Sequence, residues 1–588
     1  MPPANGEAGG MWAQDLSDMQ ITSVSLMLPE LIEKFGAIIG RKNIHTTPTT
    51  MRRFTSGYRF GSGEAVCVLL PGTLLELWRV LDVCVANHKI VICQAANTGL
   101  TGGSTPFGDN YDREVVVINM MRIKALHLID GGKQVIAFPG TTLDELESAL
   151  DPIDREPHSV IGSSCLGASV IGGICNNSGG SLIHRGPAFS ELALYARVNA
   201  EGSLELVNHL DVDLPGDPEA ILRALDEQSY SVGSVRYEPG RQASDHDYKD
   251  YVRDINAATP ARFNGDPRRL FEASGAAGKL VVFAVRLDTF ARTQDSKVFY
   301  LGTNDPEELS NLRRKMLASD LPLPIAAEYM HRDAFNIAER YGKDTFLLIR
   351  WLGTKRLPKL FAVKGWLDGF AAKFKFLPLN ITDRLLQRMS ACTPSHLPRR
   401  IRSYRDRFEH HLMIKVAGDA ILPTRQLLAT LFPTAAGEVF ECTHVEGAAA
   451  FLHRFAAAGA AVRYRAVNSS ITGGIVALDI ALPRNAMQWV ERLTADLEQK
   501  MLLKLYYGHF FCHVFHQDYI VRKGVDWLAV EHDLLELVEK RGARYPAEHN
   551  VGHLYHADEI VEAHYRELDP CNCFNPGIGH TSKRLRWK

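Results

Sequence analysis

From Lys89 to Ser104 the chain reads KIVICQAANTGLTGGS: a short apolar strand, then a loop built from Ala95, Ala96, Asn97, Thr98, Gly99, Gly102, Gly103 and Ser104. Small residues directly after a strand let backbone N–H groups converge on an anion without side-chain obstruction. Upstream, Val66, Val68 and Leu70 form a strand that stops at Pro71-Gly72, and Thr73 caps a helix with Leu74, Leu77, Trp78 and Leu81 on one face. Downstream the pattern recurs. Val135 to Phe138 reads as a strand, Pro139-Gly140 breaks it, and Thr141 or Thr142 caps a helix carrying Leu143, Leu146 and Leu150. Two such turns predict a two-lobed α/β domain over residues 1–290.

A second glycine-rich segment, IGSSCLGAS from Ile161 to Ser169, runs on to Gly172-Gly173 and to NNSGG at 176–180. No G-x-G-x-x-G follows a strand, which argues against a Rossmann NAD site. Gly162 and Gly167 have P-loop spacing, but Ala168-Ser169 stands where the phosphate lysine belongs, so a P-loop is rejected. A single glycine usually serves a tight turn. Two dense clusters in a repeated frame instead predict loops enclosing the diphosphate and ring of a large cofactor.

Composition narrows the class. The 588 residues include 46% hydrophobic and 23% charged, ordinary globular values that exclude disorder and collagen-like character. Lys+Arg 66 against Asp+Glu 68 gives a net charge of -2, which excludes a globally basic nucleic-acid binder. The length is enough for about three to five domains. Ten cysteines without a CxxC pair predict reduced thiols in a cytoplasmic setting. The opening MPPANGEAGG lacks a basic then apolar signal, and no apolar run is long enough to span a bilayer.

One stretch departs from this balance. Residues 351–408 hold thirteen Lys and Arg against three Asp, interleaved with Trp351, Phe361, Trp366, Phe370, Phe374 and Phe376. A solvated charged face and a nucleic-acid surface are the competing readings. Interleaved aromatics favour contact with anionic membrane lipids, and nothing else in the chain points to nucleic acid.

Toward the C-terminus three strings carry chemistry: His509 and His516 at H-x6-H spacing, Glu548-His549, and Asp569-Pro570 with Asn575-Pro576-Gly577. Alone, H-x6-H is weak evidence for a metal, because histidines on strands are mostly packed or exposed.

Together the strings ANTGLTGGSTP and EPHSVIGSSCLGASVIGGICNNSGGS resemble the vanillyl-alcohol-oxidase-type FAD-binding domain. Over nearly its whole length, from PGTLLELWRV at 71–80 to NPGIGHTSKR at 575–584, the chain resembles the bacterial quinone-dependent D-lactate dehydrogenases, peripheral respiratory flavoenzymes. The resemblance implies an α+β (α/β) fold: a two-lobed FAD-binding domain plus an α+β cap with an inserted basic membrane-contact module. The expected division is FAD domain 1–290, cap 291–330, membrane module 331–408, cap again 409–540, with a further short membrane segment there as an option, and a return to the FAD domain and active site at 541–588. It implies that Ala95, Ala96, Asn97, Thr98, Gly99, Gly103, Ser104, Gly162, Ser169 and Gly179 hold FAD and that Val282 packs on the flavin. No histidine lies in the first glycine loop, so FAD is expected to be non-covalent.

Related D-2-hydroxy-acid dehydrogenases carry GHxGDGNxH. Here His509 and His516 keep the spacing, but Phe511-Cys512-His513-Val514 replaces GDGN, so a divalent metal on the candidates His509, His516 and Glu548 is left open. Flavin takes the hydride from C2 of a 2-hydroxy acid, and the protein must supply a base, which histidine suits best. His549 is expected to be that base, with His509 and His516 positioning the hydroxyl and Arg454 holding the carboxylate; the alternative for Arg454 is an ordinary surface arginine. The expected partners are D-lactate, quinone and anionic lipids through residues 351–408, not nucleic acid, on the cytoplasmic face of the inner membrane. The rivals are a dehydrogenase of another D-2-hydroxy acid, such as 2-hydroxyglutarate, and a non-catalytic membrane-surface adaptor with a flavin fold.

Overall fold

The computed structural model describes residues 27–158, 167–237, 240–353 and 381–588. The first sheet has the order Ile44–His45, Cys67–Leu69, Val115–Asn119, Ile90–Gln94. Cys67–Leu69 and Ile90–Gln94 both run parallel to Val115–Asn119, and such strands are buried on both faces. The helix Leu74–Ala86 makes the crossover. Thr73 caps it by accepting the Glu76 N–H at 3.0 Å, and Leu74, Leu77, Val80, Leu81 and Cys84 form its buried face. Each fully buried leucine there contributes about 1.5–3 kcal/mol.

The second lobe repeats the turn but not the sheet. Its strands run in the order Leu126–Ile129, Gln134–Ala137, Val281–Asp288, Ala193–Val198, Leu204–Asn208, and every neighbouring pair is antiparallel. Thr142, rather than Thr141, caps the helix Leu143–Leu150, in a reciprocal box with Glu145. The end of the second glycine segment lies on this turn: the Leu143 N–H donates to the Ala168 carbonyl at 2.9 Å and the Val170 N–H to the Thr141 carbonyl at 2.9 Å.

A seven-stranded antiparallel sheet forms the rest, in the order Gly437–Glu441, Ser296–Thr303, His410–Ala417, Ala326–His331, Met501–His509, Val514–Arg522, Thr472–Ala481. The helices His444–Val467 and Arg332–Tyr341 pack together above the core of Tyr300, Met330, Phe335 and Ala338. Ala457, Ala460 and Ala461 keep that approach close. Beyond this sheet the tail returns to the first lobe, where Phe574 pairs with Val91.

Within the basic stretch, Lys355 to Lys375 and the aromatics Phe361 to Phe376 lie outside the described residues. The helix Arg399–Arg407 buries Ile401 and Tyr404, and Arg400, Arg405 and Arg407 pair with Glu446, Glu339 and Glu438. The charge of these three arginines is therefore matched locally. Among the described residues no helix is long and apolar enough to cross a membrane.

Candidate active site

The first glycine loop is a fixed cradle. Asn97 holds a left-handed φ of 53°, donates to the Ser56 carbonyl at 2.9 Å and accepts from the Ser104 hydroxyl at 3.0 Å. The Asn119 side chain ties down the Ala95 carbonyl at 2.9 Å. A Cβ on Gly102 would sit 2.5 Å from the Phe60 carbonyl oxygen, whereas one on Gly99 would meet nothing within 4 Å among the described residues. Gly99 therefore faces open space that a ligand can approach closely. Ala96, Thr98 and Gly103 complete the loop, with Gly103 against Gly552 and Ile578.

The tail closes on this loop. The Thr101 hydroxyl donates to the Asn550 carbonyl at 2.8 Å, and Asn575 donates to both the Gly103 and Ala277 carbonyls at 2.8 Å. Asn575 thus bridges the first loop and the second lobe, and His549 is brought next to the loop through its neighbour Asn550. In the second segment, Gly162 lies outside the described residues. Ser169 is buried and caps the helix Val170–Cys175, accepting the Gly172 N–H at 3.0 Å. Val282 is buried in a cluster with Ala168, Val170 and Ile171. Gly179 abuts the other half of the site: a Cβ there would lie 2.7 Å from Glu548 Oε1.

The side-chain cluster follows from sheet register. Glu328 sits opposite His509, Tyr507 opposite His516, and His516 opposite Asp479. Because strand side chains alternate, Glu328, His509, His516 and Asp479 occupy one face of four adjacent strands. His509 Nδ1 is 2.6 Å from Glu328 Oε1, and His516 Nδ1 is 3.4 Å from Asp479 Oδ1. Both histidines turn Nε2 toward Glu548 Oε2, at 3.2 and 3.8 Å. Glu548 is also paired with buried Arg262, which bonds the Gly180 carbonyl as well, and its own N–H donates to Asp479 Oδ2 at 2.7 Å. His549 Nε2 lies 3.8 Å from Asp479 Oδ2, and its side chain, 36% exposed, is the most open of the group.

Electrostatics reinforce this arrangement. Burial opposes charge on His509, but the carboxylates of Glu328 and Glu548 override it and raise its pKa to about 10. Burial likewise works against the Glu548 carboxylate, yet His509 and Arg262 hold its pKa well below the usual range. Asp479 is lowered despite burial by His549 and His516.

Arg454 is not a surface residue. It is buried, its Nε lies 2.9 Å from Glu328 Oε2, and its guanidinium covers the Tyr507 ring at 4.7 Å. His513 and His553 stand apart, spent on the backbone carbonyls of Pro483 and Thr105. Glu328, Asp479 and Arg262 were not picked out from the sequence. They lie in unremarkable strings, and only strand register and chain crossing bring them in.

The architecture defines a class first. With a TM-score of 0.58, the fold matches a crystal structure of p-cresol methylhydroxylase with substrate bound, at 11% identity over 94% of this chain and 97% of that one. Residues 65–206 match the family model described as FAD binding domain, and residues 298–587 the one described as D-lactate dehydrogenase, membrane binding. The chain is 55% identical over 573 residues to the quinone-dependent D-lactate dehydrogenase of Escherichia coli strain K12, covering 97% of this chain and 100% of that protein. The chain belongs to the quinone-dependent D-lactate dehydrogenase family. Likeness to the mitochondrial D-2-hydroxyglutarate dehydrogenase of Arabidopsis thaliana is confined to 194 residues at 27% identity, 32% of this chain and 33% of that one.

Proposed function

We infer that the protein oxidises D-lactate to pyruvate with FAD as the hydride acceptor and passes the electrons to a membrane quinone. The observation that carries this reading is the row Glu328, His509, His516 and Asp479, closed by Glu548 and His549, held beside the first glycine loop by the Thr101–Asn550 bond. A non-catalytic adaptor has no use for so many buried, mutually paired ionisable groups.

Each residue then has a task. His549, the most exposed side chain of the cluster and oriented by Asp479, takes the proton of the C2 hydroxyl. Ala95 to Gly99, Gly103, Ser104, Gly162, Ser169 and Gly179 would hold FAD without a covalent link, and the bound flavin would supply the acceptor for the C2 hydride. Val282 supports the second lobe under it. Arg454 provides the positive charge behind the substrate carboxylate, with Glu328 fixing its orientation.

The cluster also fits a divalent metal. His509, His516 and Glu548 bring their ligand atoms within 4.8 Å of one another, and each histidine keeps Nδ1 toward a carboxylate, the arrangement that fixes tautomer and ring angle in metal-ligating imidazoles. A cation held there would polarise the hydroxyl oxygen and ease its deprotonation. Elemental analysis before and after chelation tests the assignment: less than a tenth of an equivalent in the untreated enzyme would reject it.

We place the FAD domain at residues 1–290 with its return at 541–588, the cap at 291–330 and 409–540, and the membrane module at 331–408. The protein docks peripherally on the cytoplasmic face of the inner membrane, drawn to anionic lipids by the basic stretch 351–408. Anaerobic titration with each lactate enantiomer tests the main reading. D-lactate should bleach the flavin stoichiometrically and L-lactate should not; a flavin that D-lactate leaves oxidised would overturn it.

A further inference from the structure

Where the tail meets both lobes lies a buried polar knot that the chemistry above does not use. Lys279, Asp569 and Asn572 are completely buried, and Asn575 and Trp587 nearly so. Lys279 lies just ahead of the second-lobe strand Val281–Asp288, three residues before Val282. An ammonium is costly to bury, and this one is met by an amide and an aromatic face. Its Nζ donates to Asn572 Oδ1 at 2.7 Å and stands 4.3 Å from the centre of the Trp587 ring. The Trp587 indole N–H donates to the Asp569 carbonyl at 2.8 Å, and the Arg566 guanidinium lies 4.9 Å from the same ring. The Asp569 carboxylate in turn accepts the Cys573 and Phe574 N–H groups at 3.0 and 2.7 Å.

The knot has a geometric product. Asn572 and Asn575 hold left-handed φ angles of 53° and 43°, a conformation that asparagine tolerates better than most residues. Every polar group of Asn572 is used. Its N–H donates to the Asp569 carbonyl, Oδ1 accepts from Lys279, and Nδ2 donates to the Ser582 and Arg584 carbonyls. Its own carbonyl accepts from Arg113 at 2.8 Å. Three residues on, the Asn575 amide is delivered to the carbonyls of Gly103 and Ala277, one on each lobe. The turn 572–575 is thus set by Lys279 from the second lobe, Arg113 from the first and Trp587 from the tail. Gly103 in the first glycine loop and Val282 in the second lobe are thereby tied to one buried turn.

We propose that Lys279, Asn572 and Trp587 are positioning residues for the cofactor: acting through Asn575, they fix the first glycine loop against the second lobe and so govern how long FAD is retained. This role rests on the FAD reading above and deepens it. None of the three needs to touch the flavin. Loss of the indole opens the Lys279 ammonium to water, frees the Asn572 turn and leaves the Asn575 amide without a fixed aim.

The test uses the holoenzyme and reads FAD release by flavin fluorescence after dilution. Trp587→Ala and Asn572→Ala should each release FAD about tenfold faster than the wild type. Flavin still bound should be reduced by D-lactate at the wild-type rate. Asn575→Ala should also release FAD faster. Because the knot acts through Asn575, adding Trp587→Ala to Asn575→Ala should accelerate release no further. A general loosening of the fold would instead multiply the two effects, and that result would overturn the proposal. So would release at the wild-type rate from both Trp587→Ala and Asn572→Ala. If Trp587→Ala fails to fold, Trp587→Phe decides, since it keeps a ring over Lys279 but loses the bond to Asp569. Release about threefold faster, with no such gain on the Asn575→Ala background, supports the role. Release at the wild-type rate, or the same gain on that background, overturns it. A wild type that takes up no FAD would instead remove the cofactor reading, and this role with it.

Discussion

The two halves of the site are made in opposite ways. The glycine loops present backbone, and their work is local: Asn97, Gly99, Gly102 and Ser104 lie within eight consecutive residues. The other half presents side chains, and it is assembled from afar: Glu328 meets His509 across 181 residues, and Arg262 meets Glu548 across 286. A backbone cradle depends on residues staying small. A side-chain cluster depends on strand register and on each charge having its partner, so the two should fail differently under substitution.

The largest effect should come from the side-chain half. His549→Ala should lower turnover by about 10²-fold or more while flavin stays bound, because the base is lost and the cradle is not; stopped-flow reduction by D-lactate measures it, and near-normal reduction would separate His549 from the chemistry. Asp479→Asn should cost roughly 10–100-fold, since it orients both His516 and His549 without touching the cradle. The same kinetics with flavin content checked alongside would show it.

Glycine substitutions sharpen the contrast. Gly179→Ala places a methyl 2.7 Å from Glu548 Oε1 and should reduce turnover about tenfold through displacement of that carboxylate. Gly99→Ala meets nothing among the described residues and should instead weaken flavin binding, read by fluorescence titration of the apoprotein. Equal behaviour of the two would erase the distinction between the halves.

The smallest effect is on stability. Lys279 is fully buried, donates to Asn572 at 2.7 Å, and burial, only partly offset by Asp569, lowers its pKa to about 8. Between pH 8 and its ordinary 10.5 the unfolded chain binds the proton and the folded chain does not, so this group's contribution to stability rises with pH, by at most about 1.4 kcal/mol per pH unit. Denaturant unfolding of wild type and Lys279→Met at pH 8 and 9 should show that rise in the wild type alone.

These contrasts also explain what the sequence made legible. Strand, turn and capped helix could be read near Thr73 and Thr142 because apolar periodicity and capping chemistry are local. The same repeat concealed a parallel sheet in one lobe and an antiparallel one in the other, since a strand-to-helix turn says nothing about the strand's neighbours. His509 and His516 could be paired from their spacing because a tight turn at Phe510–Cys512 folds them onto one face. Glu328 and Asp479 could not, because nothing in a single chain sets the register between strands so far apart. The charge excess of residues 351–408 was plain, but that Arg400, Arg405 and Arg407 are matched by the carboxylates of Glu446, Glu339 and Glu438 was not.

The bonds from Thr101 to Asn550 and from Gly103 to Asn575 join the first glycine loop to residues made 449 and 472 positions later. On a ribosome the strand and loop at 90–104 emerge early, yet the floor beneath them is delivered only with residues 550–575. Cofactor loading should therefore wait for Asn550 and Asn575, and nascent chains halted before Asp569 should leave the ribosome without a tightly held flavin.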